Sequence, residues 1–418
     1  MTILSSSVRR NFSALMVLQI GNYILTLVLI PYLSRTLGVQ VYGDWLFVFS
    51  FIIALRLLVA FGLDLIAARD VVGCQGSMRQ VSSLLSNIIT IRILLWLTGA
   101  ATLVALSCVV PRLGALRELL YPAIFIVLGD ALFPIWLYQG LEHMGPVTKF
   151  RLSSRACILC LIVVVVREPG DVGLIPIVEA SQALLWGSAA YLFAIKRFTL
   201  NFRQPTLARM YKISRESFHV FMSTLLLQCT TTLNVIMVGV FHPGEQVAYY
   251  AIAERVYSAV RGLLTPFIQA LFPALAALYS SDPRSFKVAY DQWLRRLTLT
   301  LLLAGVGIGL LARVIVEVLT GSSASDGVYC LVIFACSLPF GVGGFLAPIL
   351  IVCKRPEMLM RVTLLTAGLG VLLIGPLAHN MGAIGGVLNF FIAQVITATW
   401  LKRMAGEVTT RHTVGTMC

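Results

Sequence analysis

The feature that most limits what this chain can fold into is the recurrence of long apolar runs separated by short charged stretches. The runs are about 20 residues long, and at about 1.5 Å per residue one of them crosses a roughly 30 Å hydrocarbon layer as a helix. Of 418 residues, 58% are hydrophobic and 12% charged, whereas a soluble domain is about half apolar and a quarter charged. A soluble core cannot absorb that excess, so lipid is the solvent. Lipid cannot satisfy backbone N–H and C=O groups, which leaves helices or a closed barrel. Runs without apolar/polar alternation exclude the barrel, and the chain is expected to be an all-α integral membrane protein.

Spans are expected near residues 11–35, 42–67, 81–109, 117–141, 147–166, 172–196, 213–241, 245–279, 293–318, 327–353, 358–378 and 382–402, about twelve in all. Counting the loops alternately, 22 of the 32 Lys and Arg residues fall on the side of the N-terminus, 5 on the opposite side and 5 within spans. That bias marks the N-terminal side as cytoplasmic and, with an even number of spans, puts both termini there. It also accounts for the net charge of +14 through anionic headgroups, so no nucleic-acid partner is implied. Arg9 and Arg10 precede the first run without a small-residue cleavage site after it, so that run reads as an uncleaved span. The nine cysteines lie mostly inside apolar runs, and Cys157 and Cys160 read as small apolar filler one helical turn apart.

The longest polar connection, RFTLNFRQPTLARMYK at 197–212, divides the chain. It sets an N-terminal lobe at 1–196, a linker lying on the membrane surface, a C-terminal lobe at 213–402 and a tail at 403–418. Leu18-Gln19 echoes Leu227-Gln228, and Gln40-Val41 before Arg56-Leu57-Leu58 echoes Gln246-Val247 before Arg261-Gly262-Leu263-Leu264. Six spans per half make such a repeat parallel, with a transport path expected between lobes.

Ionisable residues inside hydrocarbon are costly and face a bundle interior or a wet cavity. The basic set away from span ends is Arg56, Arg92, Arg155, Arg255 and Arg261; the acidic set is Asp64, Asp130, Glu179 and Glu254. Tyr250, Glu254, Ser258, Arg261, Thr265 and Gln269 recur at steps of three or four and share one helix face. Thr224, Gln228 and Thr231 repeat the arrangement one span earlier, and Trp45, Phe49 and Arg56 place aromatic surface beside a cation. Such faces suit a hydrated cavity that holds sugar and phosphate, with Arg56, Arg92, Arg255, Arg261, Trp45, Gln228, Tyr250, Ser258 and Gln269 as substrate contacts. The bland alternative is that these groups pair with one another and hold helices together. Asp130, Glu179, Glu254 and Asp64 are the candidates for proton or sodium coupling, against local hydrogen bonds or Arg partners. Pro134, Pro266 and Pro273 are expected to bend their helices. No phosphate-cradling Gly loop, His-Glu-x-x-His or nucleophile elbow is present, so neither a cofactor nor ATP-driven transport by this chain alone is expected.

Three stretches then carry a resemblance. Leu33-Ser34-Arg35-Thr36-Leu37-Gly38 with Tyr42-Gly43-Asp44-Trp45 is one. Phe133 to Met144 is another, with Trp136, Gln139, Gly140 and Glu142 as its motif residues. The third is Tyr249-Tyr250-Ala251-Ile252-Ala253-Glu254-Arg255, followed by Pro266, Gln269, Phe272 and Pro273. In this order the chain resembles the Wzx-type polysaccharide flippases of the multidrug/oligosaccharidyl-lipid/polysaccharide exporter superfamily. The resemblance implies two six-helix lobes forming a V that alternates between cytoplasmic and periplasmic openings in the bacterial inner membrane. It implies an undecaprenyl-diphosphate-linked oligosaccharide as substrate, for O-antigen or exopolysaccharide assembly. A polymerase and a chain-length regulator are the protein partners it suggests. Lumen arginines would hold the diphosphate and aromatic or amide groups the sugars. The family's arginines do not occupy fixed positions, so the assignments above rest on helix faces.

Two other readings stay open. A cation-coupled multidrug exporter of the same superfamily would favour acids in its cavity, and here five basic residues face four acidic ones inside spans. A membrane polysaccharide polymerase or ligase would need a large periplasmic loop for catalytic residues, whereas the longest loops on that side have only about ten residues.

Overall fold

A computed structural model describes residue 21 and residues 27–74, 77–281, 283–322, 324–352 and 356–415. Some side chains within helices lie outside the described set, that of the expected sugar contact Gln269 among them, as does most of the first expected span. In chain order the helices are α1 (Leu27–Leu37), α2 (Val39–Ala60), α3 (Leu63–Gly73), α4 (Met78–Val109), α5 (Pro111–Ala115), α6 (Arg117–Leu132), α7 (Ile135–Gly140) and α8 (Met144–Val165). Then follow α9 (Leu174–Phe198), α10 (Leu207–Phe241), α11 (Gly244–Ser281), α12 (Pro283–Thr320), α13 (Ser325–Ser337), α14 (Gly343–Val352) and α15 (Pro356–Gly415). No strand occurs among the described residues, as the all-α reading requires.

Among the described residues, seven helical stretches are long and apolar enough to cross a membrane, eight with the bent pair Leu207–Gln228 and Thr231–Phe241. Length and composition therefore do not reach the expected count of about twelve. One reason is local chemistry: α8 sits on an expected span but carries Lys149, Arg151 and Arg155, and α11 carries the polar stripe. Another is that α15 covers two expected spans in one element, with Gly382 (φ 54°, ψ −128°) as the kink between them.

Breaks fall where backbone chemistry demands them. The second expected span divides into α2 and α3 at Gly62, whose φ of +68° suits glycine. A Cβ there would also lie 2.8 Å from the Ser217 carbonyl oxygen, so space and conformation agree. Pro134 separates α6 from α7 as expected. Around residues 266 and 273, by contrast, α11 continues as helix, because a membrane helix can lose a backbone bond and still be held by its neighbours.

Two compact units emerge from the contacts. One is Thr36–Gln228; the other joins Cys229–Cys418 with Met1–Arg35. Within the second unit, α1 satisfies the end of α12: the Ser34 hydroxyl donates to the Leu319 carbonyl, and Arg35 Nη2 donates to the Val318 carbonyl at 2.8 Å. The last carbonyls of a helix have no intrahelical donor, so this contact groups α1 with the C-terminal half of the chain. The aromatic core of that unit is Tyr250, Tyr257, Phe334 and Phe390, with ring centroids 5.1 to 5.5 Å apart.

In the Thr36–Gln228 unit, α6 lies directly on α9. A Cβ on Gly129 would fall 2.2 Å from the Ala183 carbonyl carbon, and one on Gly187 only 2.1 Å from the Gly129 oxygen. Small residues are what let membrane helices approach this closely. α3 packs on α7 in the same way, with Gly140 against Val71.

Candidate translocation site

The aromatic–cation face expected on α2 is present. The Arg56 guanidinium lies 5.4 Å from the Phe49 ring centroid, and Phe49 lies 5.4 Å from Trp45. What periodicity could not show is the partner: Arg56 Nε is 2.7 Å from Asp130 Oδ2 of α6, with side-chain exposures of 35% and 51%. Asp130 occupies the last turn of α6, where the helix dipole disfavours a carboxylate, so it depends on a nearby cation. Arg155 of α8 is in electrostatic reach of Asp130, Arg56 and Glu179 of α9. With Arg151 of α8, which also acts on Arg155, two acids and three bases from four helices are brought together, and the Gly129–Gly187 contact fixes the separation of the two acid-bearing helices.

Arg92 and Asp64 form a different kind of pair. Arg92 Nη2 lies 2.6 Å from Asp64 Oδ1, and the arginine side chain is only 4% exposed. Asp64 stands in the first turn of α3, where the dipole favours it. This pair joins α3 to α4, with the cation enclosed and Asp64 40% exposed. Trp45, at 3% exposure, is likewise enclosed, and its surface is taken up by neighbouring side chains.

The polar stripe on α11 runs from core to surface. Tyr250 is fully buried, and its hydroxyl accepts a hydrogen bond from Asn234 Nδ2 at 3.2 Å. Asn234 also donates to the Gly386 carbonyl at 3.2 Å and accepts from Asn389 Nδ2 at 2.8 Å, which closes a buried neutral network. One turn on, Ser258 donates to half-buried Glu254 at 2.6 Å. Arg255 is half-buried, and Arg261 is exposed. Gln228, on α10, is exposed as well.

The Trp136 to Glu142 motif is largely architectural. Trp136 and Tyr138 are fully buried, and the Tyr138 hydroxyl donates to the Ala190 carbonyl at 2.7 Å. Gly140 lets α7 close on α3, and Glu142 (φ 56°) turns the chain into α8 with Gln139 and Glu142 outward. Side-chain pairing across long separations escaped the sequence reading: Asn234 with Asn389, Gln246 with Asp326 at 2.7 Å, and Arg112 with Asp44 at 2.7 Å. Also missed was a ladder on α4 that only its i, i+4 spacing could have suggested. Ser82, Ser86 and Asn87 accept from the backbone N–H groups of Asn201, Arg203 and Thr206 at 3.2, 2.9 and 3.0 Å. The connection after α9 is therefore tied down, and it is helical again from Leu207, inside the 197–212 stretch read as linker.

Fold and site together define a polytopic helical membrane protein with paired charges at span depth. The fold is that of the exporter superfamily. A lipid II flippase MurJ in an inward closed conformation aligns over 98% of this chain and 91% of its own, with a TM-score of 0.73 at 17% identity. A multidrug resistance MATE family transporter of the MOP superfamily, inward-facing, aligns over 94% and 96% with a TM-score of 0.59 at 17% identity. Residues 8–279 match the family described as Polysaccharide biosynthesis protein, and the chain belongs to that family. A protein of Escherichia coli (strain K12) named "Putative O-antigen transporter" is 27% identical over 271 residues, and the match spans 65% of each chain. A protein of the same name from Shigella dysenteriae is 24% identical over 404 residues, 94% of this chain and 99% of its own. The resemblance carried by the three motif stretches is thus borne out for family and fold.

Proposed function

We propose that this chain is a flippase, not an enzyme, that carries an undecaprenyl-diphosphate-linked oligosaccharide from the cytoplasmic to the periplasmic leaflet for O-antigen or exopolysaccharide assembly. The observation that carries the reading is the half-exposed Arg56–Asp130 pair, set in a chain of the polysaccharide biosynthesis family. Arg56 already holds one oxyanion at 2.7 Å with an aromatic ring beneath it. A diphosphate offers the same fork a stronger acceptor, so substrate competes with Asp130 for Arg56. Asp130, once released at a helix C-terminus, loses its cation, and a proton or a sodium ion is the partner proposed to replace it. Substrate binding and cation uptake are then linked through one arginine, and alternating access to the two membrane faces would turn that linkage into transport. Glu179 with Arg155, and Glu254 with Arg255 and Arg261, supply further exchangeable charges on the same principle.

Both termini cytoplasmic in a bacterial inner membrane, and assembly with a polymerase and chain-length regulator, belong to the same proposal. The test is genetic and biochemical. Arg56→Ala or Arg261→Ala is expected to abolish surface polysaccharide while protein level and lipid-linked precursor stay normal; unchanged polysaccharide in both removes the role given to these arginines. Asp130→Asn in vesicles is expected to weaken dependence on the proton or sodium gradient. A multidrug exporter would instead lose cationic-drug efflux in Asp130→Asn and leave polysaccharide intact.

A further inference from the structure

Away from the charge cluster, Arg79, Arg203, Arg209, Gln80, Gln204 and Ser83 line a cavity of roughly 520 Å³. Its construction begins with the end of α9, where Lys196 and Arg197 occupy the last turn and Thr199 adopts a left-handed conformation (φ 50°). The chain then crosses the start of α4, fixed by the three backbone bonds to Ser82, Ser86 and Asn87. Leu200, buried, anchors it from below. This brings Arg203 over the first turns of α4, while α10 presents Arg209, whose Nη1 donates to the Ser83 hydroxyl at 3.0 Å. Arg79 comes from α4 itself.

The result is three guanidinium groups around one space with no acidic residue in its lining. Arg203 Nε is buried without a protein acceptor. Like charges held together by a fixed backbone are unfavourable unless an anion joins them. Guanidinium forks with amide and hydroxyl donors fit the tetrahedral oxygens of a phosphate, which accepts from several directions at once. Phe202, next to Arg203 in the chain, and Leu207 and Tyr211, two residues either side of Arg209, are 67%, 84% and 70% exposed, which supplies apolar surface for acyl chains next to a headgroup.

We propose that this cavity is a binding site for a phosphate ester group, with a membrane phospholipid headgroup as the source its apolar rim favours. The site is separate from the Arg56 cluster and does not rest on the transport reading. Binding would add to the three backbone bonds that already hold the segment after α9 on α4, because a phosphate would bridge Arg203 of that segment to Arg79 of the helix.

The experiment places the full-length protein in phosphatidylcholine nanodiscs with or without phosphatidylglycerol and counts retained phosphatidylglycerol by native mass spectrometry. A parallel arm titrates glycerol 3-phosphate into phosphatidylcholine nanodiscs. The double variant Arg79→Gln/Arg203→Gln is expected to bind phosphatidylglycerol about tenfold more weakly than the wild type. Gln204→Glu, which adds a repelling charge on an exposed residue and leaves the arginines in place, is expected to weaken it in the same direction. Selective retention of phosphatidylglycerol supports the site with a lipid source. Saturable binding of glycerol 3-phosphate, lost in both variants, supports it with a soluble source. Equal binding of both probes by wild type and variants overturns it.

Discussion

The two compact units satisfy their buried polar groups by different chemistry. Five ion pairs among the described residues lie in Thr36–Gln228: Arg56–Asp130, Arg92–Asp64, Arg112–Asp44 and Arg69 with both Asp70 and Glu216. In the C-terminal half, the core is joined by a neutral network of Asn234, Asn389, Tyr250 and the Gly386 carbonyl, all sealed from solvent. That network carries no charge for an incoming anion to exchange, although Asn389 Oδ1 within it is buried without a partner. A half-exposed ion pair does carry such a charge, since an incoming anion can replace its carboxylate. The difference assigns a holding role to one region and an exchanging role to part of the other. It also divides the ion pairs themselves: in Arg92–Asp64 the cation is enclosed and the part-exposed acid sits at a favourable helix N-terminus, whereas in Arg56–Asp130 both side chains are part-exposed and the acid sits at an unfavourable C-terminus.

The strongest break of this contrast is Gly129→Leu. The side chain has no space against Ala183, so α6 must leave α9 and carry Asp130 with it. Loss of nearly all folded protein, read as detergent-extracted monodisperse material, is the expected result; a normal yield would show that the close helix contact is dispensable.

Next comes the pair Arg56→Met and Arg92→Met. Arg56→Met is expected to keep protein level and lose polysaccharide export by at least about tenfold, because only a partner-exchanging group is removed. Arg92→Met is expected to lower melting temperature and abundance instead, with export per molecule retained, since Asp64 loses the enclosed cation that joins α3 to α4. The reverse pattern would invert the roles given to the two pairs.

Asn234→Leu tests the neutral side of the comparison. It strands the Asn389 amide and the Gly386 carbonyl, at a cost of about 1 to 2 kcal/mol. Thermal unfolding in detergent should shift down by a few degrees, and Asn234→Leu/Asn389→Leu should recover part of the loss. No shift in the single variant would mean the network is idle. The smallest effect belongs to Arg69→Gln, which removes an exposed bridge to Asp70 and Glu216 and should change stability by less than about 1 kcal/mol.

Much of the candidate site could be read from local pattern. Trp45, Phe49 and Arg56 share a face because a helix repeats every 3.6 residues, and their stacking follows from that spacing alone. The α11 stripe was legible in the same way, but a shared face does not tell depth. Tyr250 ended in the core and Arg261 at an exposed position, a difference that the spacing on one helix does not encode. Arg92 looked equivalent to Arg56 in sequence, and only packing against α3 and α6 enclosed it.

What the sequence alone determined was the solvent, the helical class and the positions of most helices, since apolar length and composition act on each segment independently of the rest. Tertiary structure decided which acid meets which arginine and which stripe residues face inward. It also decided where α1 belongs and how the segment after α9 builds a basic cup. These depend on contacts between residues far apart in the chain, such as Asn234 with Asn389, 155 positions away. No local periodicity encodes such a partner; it emerges only when close-packed helices leave room for one arrangement of their polar groups.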